Sequence, residues 1–322
     1  MRAIRIEAFG GPEVLRLADV PEPVPGSGEI VVRCEASGIN YLDTYHRTGL
    51  YPNPLPFVPG MEGAGVVTAV GPEVTLFRVG DRVAWTSAIG SYAASVKMPA
   101  EKAVAVPEGV ELRTAAAVML QGMTAHYLTA STFPLAKGHT CLVHAAAGGV
   151  GLLLVQMAKQ RGARVIGTVG GEPKARLARA AGADEVILYR QEDFLAAVKR
   201  LTNGRGVDVV YDGVGKETAL KSLDCLALRG MMVFFGNASG PVGPIDPLLL
   251  SQKGSLFMTR PTLFHYVADR ASLEARAADV LGQVAAKRLD VRIDRSFPLA
   301  EAASAHQALE SRQTTGKLLL VP

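Results

Sequence analysis

Chemistry is most legible between Thr140 and Gly151, TCLVHAAAGGVG. There the run Ala146-Ala147-Gly148-Gly149-Val150-Gly151 keeps the G-x-G-x-x-G spacing, with alanine at the first glycine. Small residues at Ala146 and Gly148 keep a turn tight and let the backbone approach a pyrophosphate. Gly151 lets a helix pack close on the strand before it, and a helix N-terminus offers unpaired N–H groups to an anion. A glycine run alone is only a tight turn. Here it is flanked by an apolar strand (Cys141 to His144), a helix (Leu152 to Gly162) and a second strand (Arg164 to Val169). That β-turn-α-β unit predicts dinucleotide binding through Gly148, Gly149, Val150 and Gly151.

The tip of the second strand selects among dinucleotides. An acidic residue about 20 residues after the turn would bind a ribose 2′-hydroxyl. The tip is Val169-Gly170-Gly171, with no carboxylate, and Lys174 follows in the next helix. Room at Gly170 and a cation at Lys174 suit a 2′-phosphate, and Tyr189 at the end of the third strand can close over it. The expected cofactor is NADPH.

The elements that must hold these residues change character along the chain. Residues 1 to about 122 read as short strands broken by Gly and Pro, a β-rich lobe. Helices are expected at Leu112–Ala117 and Gln121–Thr129. From Gly138 to Pro261, strands alternate with helices, among them Thr218–Leu228, and six strands make a complete doubly wound parallel sheet. The fold class is therefore α/β. Lys317–Val321 has no place in that sheet and is expected to return to the first lobe.

Composition narrows the function classes. The 322 residues carry a net charge of +4 with acids and bases interspersed, which argues against nucleic acid as a partner. Three scattered cysteines, Cys34, Cys141 and Cys225, imply reduced thiols in a cytoplasmic compartment. No run of apolar residues is long enough for a membrane span, and none opens the chain as a signal peptide. The histidines form no metal-ligand pair, and His144 reads as a hydrogen-bonded core residue.

Several stretches together carry a resemblance: TCLVHAAAGGVG, Gly122–Tyr127 (GMTAHY), Ile39–Tyr45, Val233–Asn237 (VFFGN), GGPEVL at 10–15 and the terminal TTGKLLLVP. The chain resembles the zinc-free quinone oxidoreductases, zeta-crystallin-like members of the medium-chain dehydrogenase/reductase superfamily. The resemblance implies a GroES-like catalytic domain of residues 1–122 and 262–322, and a Rossmann NADPH-binding domain of residues 123–261. It implies NADPH-dependent reduction of quinones without metal or flavin, and a homodimer. It places Asn40, Asp43, Tyr45 and Tyr51 at the catalytic pocket, with Asn40 and Tyr45 also against the nicotinamide. Thr124 falls on the nicotinamide ribose, Gly148–Gly151 on the pyrophosphate, and Gly170, Lys174 and Tyr189 on the 2′-phosphate. Phe235, Gly236 and Asn237 fall near the carboxamide, and Gly316 and Lys317 where the C-terminal segment returns over the cofactor. One departure is Gly213, where close relatives often have Ser.

In the zinc alcohol dehydrogenases of this superfamily, Cys, His and Cys hold the metal. The corresponding positions here are Asn40, Met61 and a position near Gln121, so no metal is expected. Without a Lewis acid simple alcohols are poor substrates. A quinone or enone spreads the incoming charge onto oxygen and needs only positioning and hydrogen-bond donors. Reduction of an enone, 2-alkenal or enoyl thioester is the alternative reaction, and an NADPH sensor or RNA-binding protein the alternative of another class.

Overall fold

The computed structural model describes residues 1–322. The chain divides into two compact units, Met1–Met123 with Tyr266–Pro322, and Thr124–His265.

The second unit is built on a six-stranded sheet. Its strand order is Glu185–Leu188, Arg164–Val169, Thr140–Val143, Val207–Asp212, Leu226–Phe234, Phe257–Thr259, every neighbouring pair parallel. This is the doubly wound order with its reversal beside the first strand. Helices cover both faces of such a sheet, so its strands read as continuous apolar runs instead of alternating ones. Leu142, Ile166, Val210 and Met232 form the core with Val198 and Leu223 of the helices. His144 is buried there, its Nδ1 2.9 Å from Thr168 Oγ1 and its Nε2 2.9 Å from Ser222 Oγ, as expected of a satisfied core histidine.

The first unit is organised on a seven-stranded, mostly antiparallel sheet around the long strand Glu29–Ile39. Ile30, Val32, Val67, Trp85 and Met98 fill its interior. Lys317–Val321 does return here, pairing antiparallel to Glu29–Ile39 with Leu319 opposite Gly38. Its other edge takes Ile293–Pro298 in parallel.

Three expectations are corrected. A single helix, Leu112–Tyr127, replaces the two expected. Gly122 lies within it, and a Cβ there would stand 2.8 Å from both Val118 and Val280. The helix expected over Thr218–Leu228 stops at Asp224, and Leu226–Phe234 is a strand. A short apolar run cannot be assigned by periodicity alone, and here Leu226 is drawn into register with Val207. The helix after the glycine turn begins at Gly149, not Leu152. No helix is long and apolar enough to cross a membrane.

Candidate active site and cofactor-binding turn

In the first unit the strand Glu29–Ile39 ends one residue before the helix Tyr41–Thr48. Asn40 sits at that junction, its backbone N–H donating to Asp43 Oδ2 at 2.8 Å, which caps the helix. The Asn40 side chain is fully used. Its Oδ1 accepts from Lys317 Nζ at 2.7 Å and Gln121 Nε2 at 3.3 Å, and its Nδ2 donates to Glu62 Oε2 at 2.8 Å and Gly38 O at 3.3 Å. An amide has two acceptor sites and two donor hydrogens, so none is left over. Asn40 is a rigid fixture.

Lys317 and Glu62 complete this cluster as an ion pair with side chains 1% and 0% exposed. The second Glu62 oxygen accepts from Leu120 N at 2.6 Å, which ties the pair to the long helix. Burial pushes the Lys317 ammonium below its ordinary range, opposed by the Glu62 charge. Gly38 makes the cluster possible: a Cβ there would lie 2.3 Å from Glu62 Oε2 and 2.7 Å from Lys317 Cε. Lys317 and Asn40, both anticipated as site residues, are thus brought together. The lysine's ammonium points into the unit. Gly316 precedes it with φ +78, a conformation glycine adopts freely.

Below the cap runs a second buried chain that the sequence did not disclose. Tyr92 OH donates to Asp43 Oδ2 at 3.0 Å and lies 3.0 Å from His306 Nε2. Arg47 Nη1 is 3.1 Å from His306 Nδ1, and the Arg47 guanidinium holds the Glu310 carboxylate at 2.8 and 3.0 Å. Arginine can only donate, so Nδ1 of His306 accepts and its Nε2–H points at Tyr92. Burial, with Arg47 beside it, pushes His306 down to about 3, which keeps the ring neutral. Burial raises Asp43 to about 7, against the pull of the Asn40 amide, Lys317 and Tyr92. Asp43 is wholly buried and its Oδ1 has no partner. These links were invisible because Asp43, Tyr92 and His306 are remote in sequence.

Tyr45 and Tyr51 stack edge to face with centroids 5.4 Å apart, and Tyr51 is 39% exposed. His46 lies beside Tyr51, its ring centroid 6.4 Å away, and burial lowers its proton affinity. The four residues Asn40, Asp43, Tyr45 and Tyr51 therefore share one helix and the turn after it.

In the second unit Gly148 caps the helix Gly149–Gln160, so Gly149, Val150 and Gly151 form its first turn. Their N–H groups have no acceptor within the helix, the arrangement an anion needs. A Cβ on Gly151 would strike Ala145 O at 2.2 Å, so only glycine fits. Thr124 is buried on the last turn of the helix Leu112–Tyr127. Gly170 lies at the end of Arg164–Val169, and the Tyr189 hydroxyl stands 3.0 Å from where its Cβ would be. Lys174 is in the first turn of the helix Glu172–Ala180. Phe235, Gly236 and Asn237 follow the strand Leu226–Phe234, held by Phe235 N donating to Asp212 O at 2.9 Å and Ala238 N to Gly213 O at 3.2 Å. The Phe235 ring fills the space a side chain at Gly213 would need, 2.9 Å from its Cβ position. The backbone path through Gly213 is intact.

A zinc ion does not fit these donors. Asn40 and Gln121 do meet, but a lysine ammonium already occupies the Asn40 oxygen, and neither group is a thiolate or imidazole. No group of three or more His, Cys, Asp or Glu residues is placed to hold a metal.

Two family descriptions match the chain, the alcohol dehydrogenase GroES-like domain over residues 26–132 and the zinc-binding dehydrogenase over residues 149–277. A quinone oxidoreductase of Pseudomonas aeruginosa is 50% identical over 100% of this chain and 99% of its own length. A 2-haloacrylate reductase of Burkholderia sp. is 44% identical over 98% of each chain. The crystal structure of Escherichia coli quinone oxidoreductase complexed with NADPH superposes with a TM-score of 0.98 at 43% identity, covering 100% of both chains. The chain belongs to the quinone oxidoreductases of the medium-chain dehydrogenase/reductase superfamily.

Proposed function

We propose that this chain is an NADPH-dependent quinone reductase working without metal or flavin. The observation that carries the reading is the buried Lys317–Glu62–Asn40 cluster. It leaves a saturated amide, its oxygen held by a buried ammonium, at Asn40, the position where the zinc enzymes of the superfamily carry a thiolate ligand. With no metal to polarise it, the acceptor must itself be reactive, as a quinone is.

The glycine turn and its free N–H groups would hold the pyrophosphate, Thr124 the nicotinamide ribose, and Phe235, Gly236 and Asn237 the carboxamide end. Gly170, Lys174 and Tyr189 would hold the 2′-phosphate. When bound, NADPH supplies the hydride. Tyr45 and Tyr51 face the acceptor, and the exposed Tyr51 hydroxyl donates a hydrogen bond to its oxygen. Asn40, Asp43, Gly316 and Lys317 act from behind by fixing the helix that carries Tyr45 and leads into the turn that carries Tyr51. A Tyr51→Phe enzyme with unchanged turnover on quinones would remove the donor role and leave packing only.

The Burkholderia relative supports a second reading, reduction of an activated carbon–carbon double bond. Steady-state rates with 1,4-naphthoquinone, 9,10-phenanthrenequinone and an acrolein-type enone separate the two. Faster turnover on the enone, or rapid oxidation of ethanol, would refute the quinone assignment. We also infer a homodimer through the sheet edge, because Phe257 and Met258 are 53% and 40% exposed on the outermost strand. Sedimentation as a monomer at micromolar concentration would refute it. Three buried free thiols support a reducing, cytoplasmic setting.

A further inference from the structure

We infer that Arg190 is a second cation for the 2′-phosphate of NADPH, an inference that rests on the proposed use of Gly170, Lys174 and Tyr189. Tyr189 N donates to Val169 O at 3.2 Å, which fixes residues 189 and 190 beside the end of the strand Arg164–Val169. The chain then turns sharply, with Gln191 N and Glu192 N both donating to Leu188 O, at 2.8 and 3.1 Å. That turn folds the Arg190 side chain back over Gly170. Arg190 Nε stands 3.4 Å from where a Gly170 Cβ would be, and the Tyr189 hydroxyl 3.0 Å from the same point. Two donors converge on a glycine whose missing side chain leaves them room.

Neighbouring acids do not neutralise this arginine. Glu172 is held by Arg179 at 2.8 Å and Glu192 by Arg200 at 3.0 Å. Arg190 itself makes no hydrogen bond or ion pair within the chain. A lone exposed arginine is ordinarily a solvated surface group. This one is aimed, by a hydrogen-bonded turn, at the glycine next to which a doubly charged phosphate is proposed to sit. A guanidinium there offers a fork of donors matched to phosphate oxygens, which Lys174 alone does not. Arg190 would thereby contribute to the choice of NADPH over NADH.

The test measures dissociation constants for NADPH and NADH by cofactor fluorescence with wild type, Arg190→Gln, Arg190→Lys and Lys174→Gln. NADH lacks the 2′-phosphate, so its affinity cancels general damage to the fold. Arg190→Gln should lower the NADPH/NADH preference about tenfold, the effect of one lost charge-assisted contact. Arg190→Lys should recover part of it. The affinity of wild type for NADPH should also fall more steeply with added salt than that of Arg190→Gln. If Lys174→Gln abolishes the preference and Arg190→Gln leaves it within about twofold, Arg190 is idle and the proposal fails while the site stands. If neither variant changes the preference, the phosphate site is misplaced and both readings fall.

Discussion

Replacing Lys317 by methionine tests whether the buried cluster is an electrostatic keystone of the first unit. Methionine has nearly the volume of the lysine stem but no charge, so Glu62 would be left as a carboxylate with no counter-ion at 0% exposure. Removing one partner of a buried ion pair costs roughly 3–5 kcal/mol, because the other charge stays desolvated. Glu62 keeps the Leu120 amide and the Asn40 side chain as donors, which puts the expected loss at the lower end, about 3 kcal/mol. Urea unfolding read through tryptophan emission is the assay. Trp85 is the chain's single tryptophan and is buried in this same unit, so its signal reports the unit's own transition. With an m-value of roughly 3 kcal/mol/M, the midpoint should fall by about 1 M. Adding Glu62→Gln removes the orphaned charge, so the double variant should be more stable than Lys317→Met alone. A Lys317→Met midpoint within about 0.2 M of wild type, or a double variant whose loss equals the sum of the singles, would refute the reasoning.

Two further perturbations address the chain below it. Burial raises Asp43 to about 7 from an ordinary 3.8, so the folded state holds a proton that the unfolded state releases in between. Stability from this group is present below about pH 4 and is lost as pH rises toward about 7, amounting to about 4 kcal/mol in all. Asp43→Asn should flatten the stability profile over that window, and a difference curve that stays level from pH 4 to 7 would count against it. Tyr92→Phe removes the hydroxyl between Asp43 and His306 and leaves the His306 Nε2–H unpaired in the core. The expected loss is about 1–3 kcal/mol by the same tryptophan-detected unfolding, and no measurable loss would show that the link is idle.

Much of this molecule is written in local patterns. The apolar strands, the glycine turn and the absence of an acid at Gly170 are each read within a few residues, because turn geometry and strand burial are local demands. From these follow the doubly wound sheet and the return of Lys317–Val321 to the first lobe. Periodicity failed where the choice was tertiary. Leu226 to Leu228 read as the end of a helix until Val207 offers Leu226 a register, and residues 118–120 read as a gap between two helices where one continuous helix runs. The site divides in the same way. Asn40 and Lys317 could be named from sequence, but their roles could not, since Asn40 is saturated only through Gly38, Glu62, Gln121 and Lys317. Likewise the neutral His306, the protonatable Asp43 and the reach of Arg190 over Gly170 arise from groups distant in the chain. Burial and hydrogen bonding among remote residues set proton affinity and orientation, and those exist only once the chain has folded.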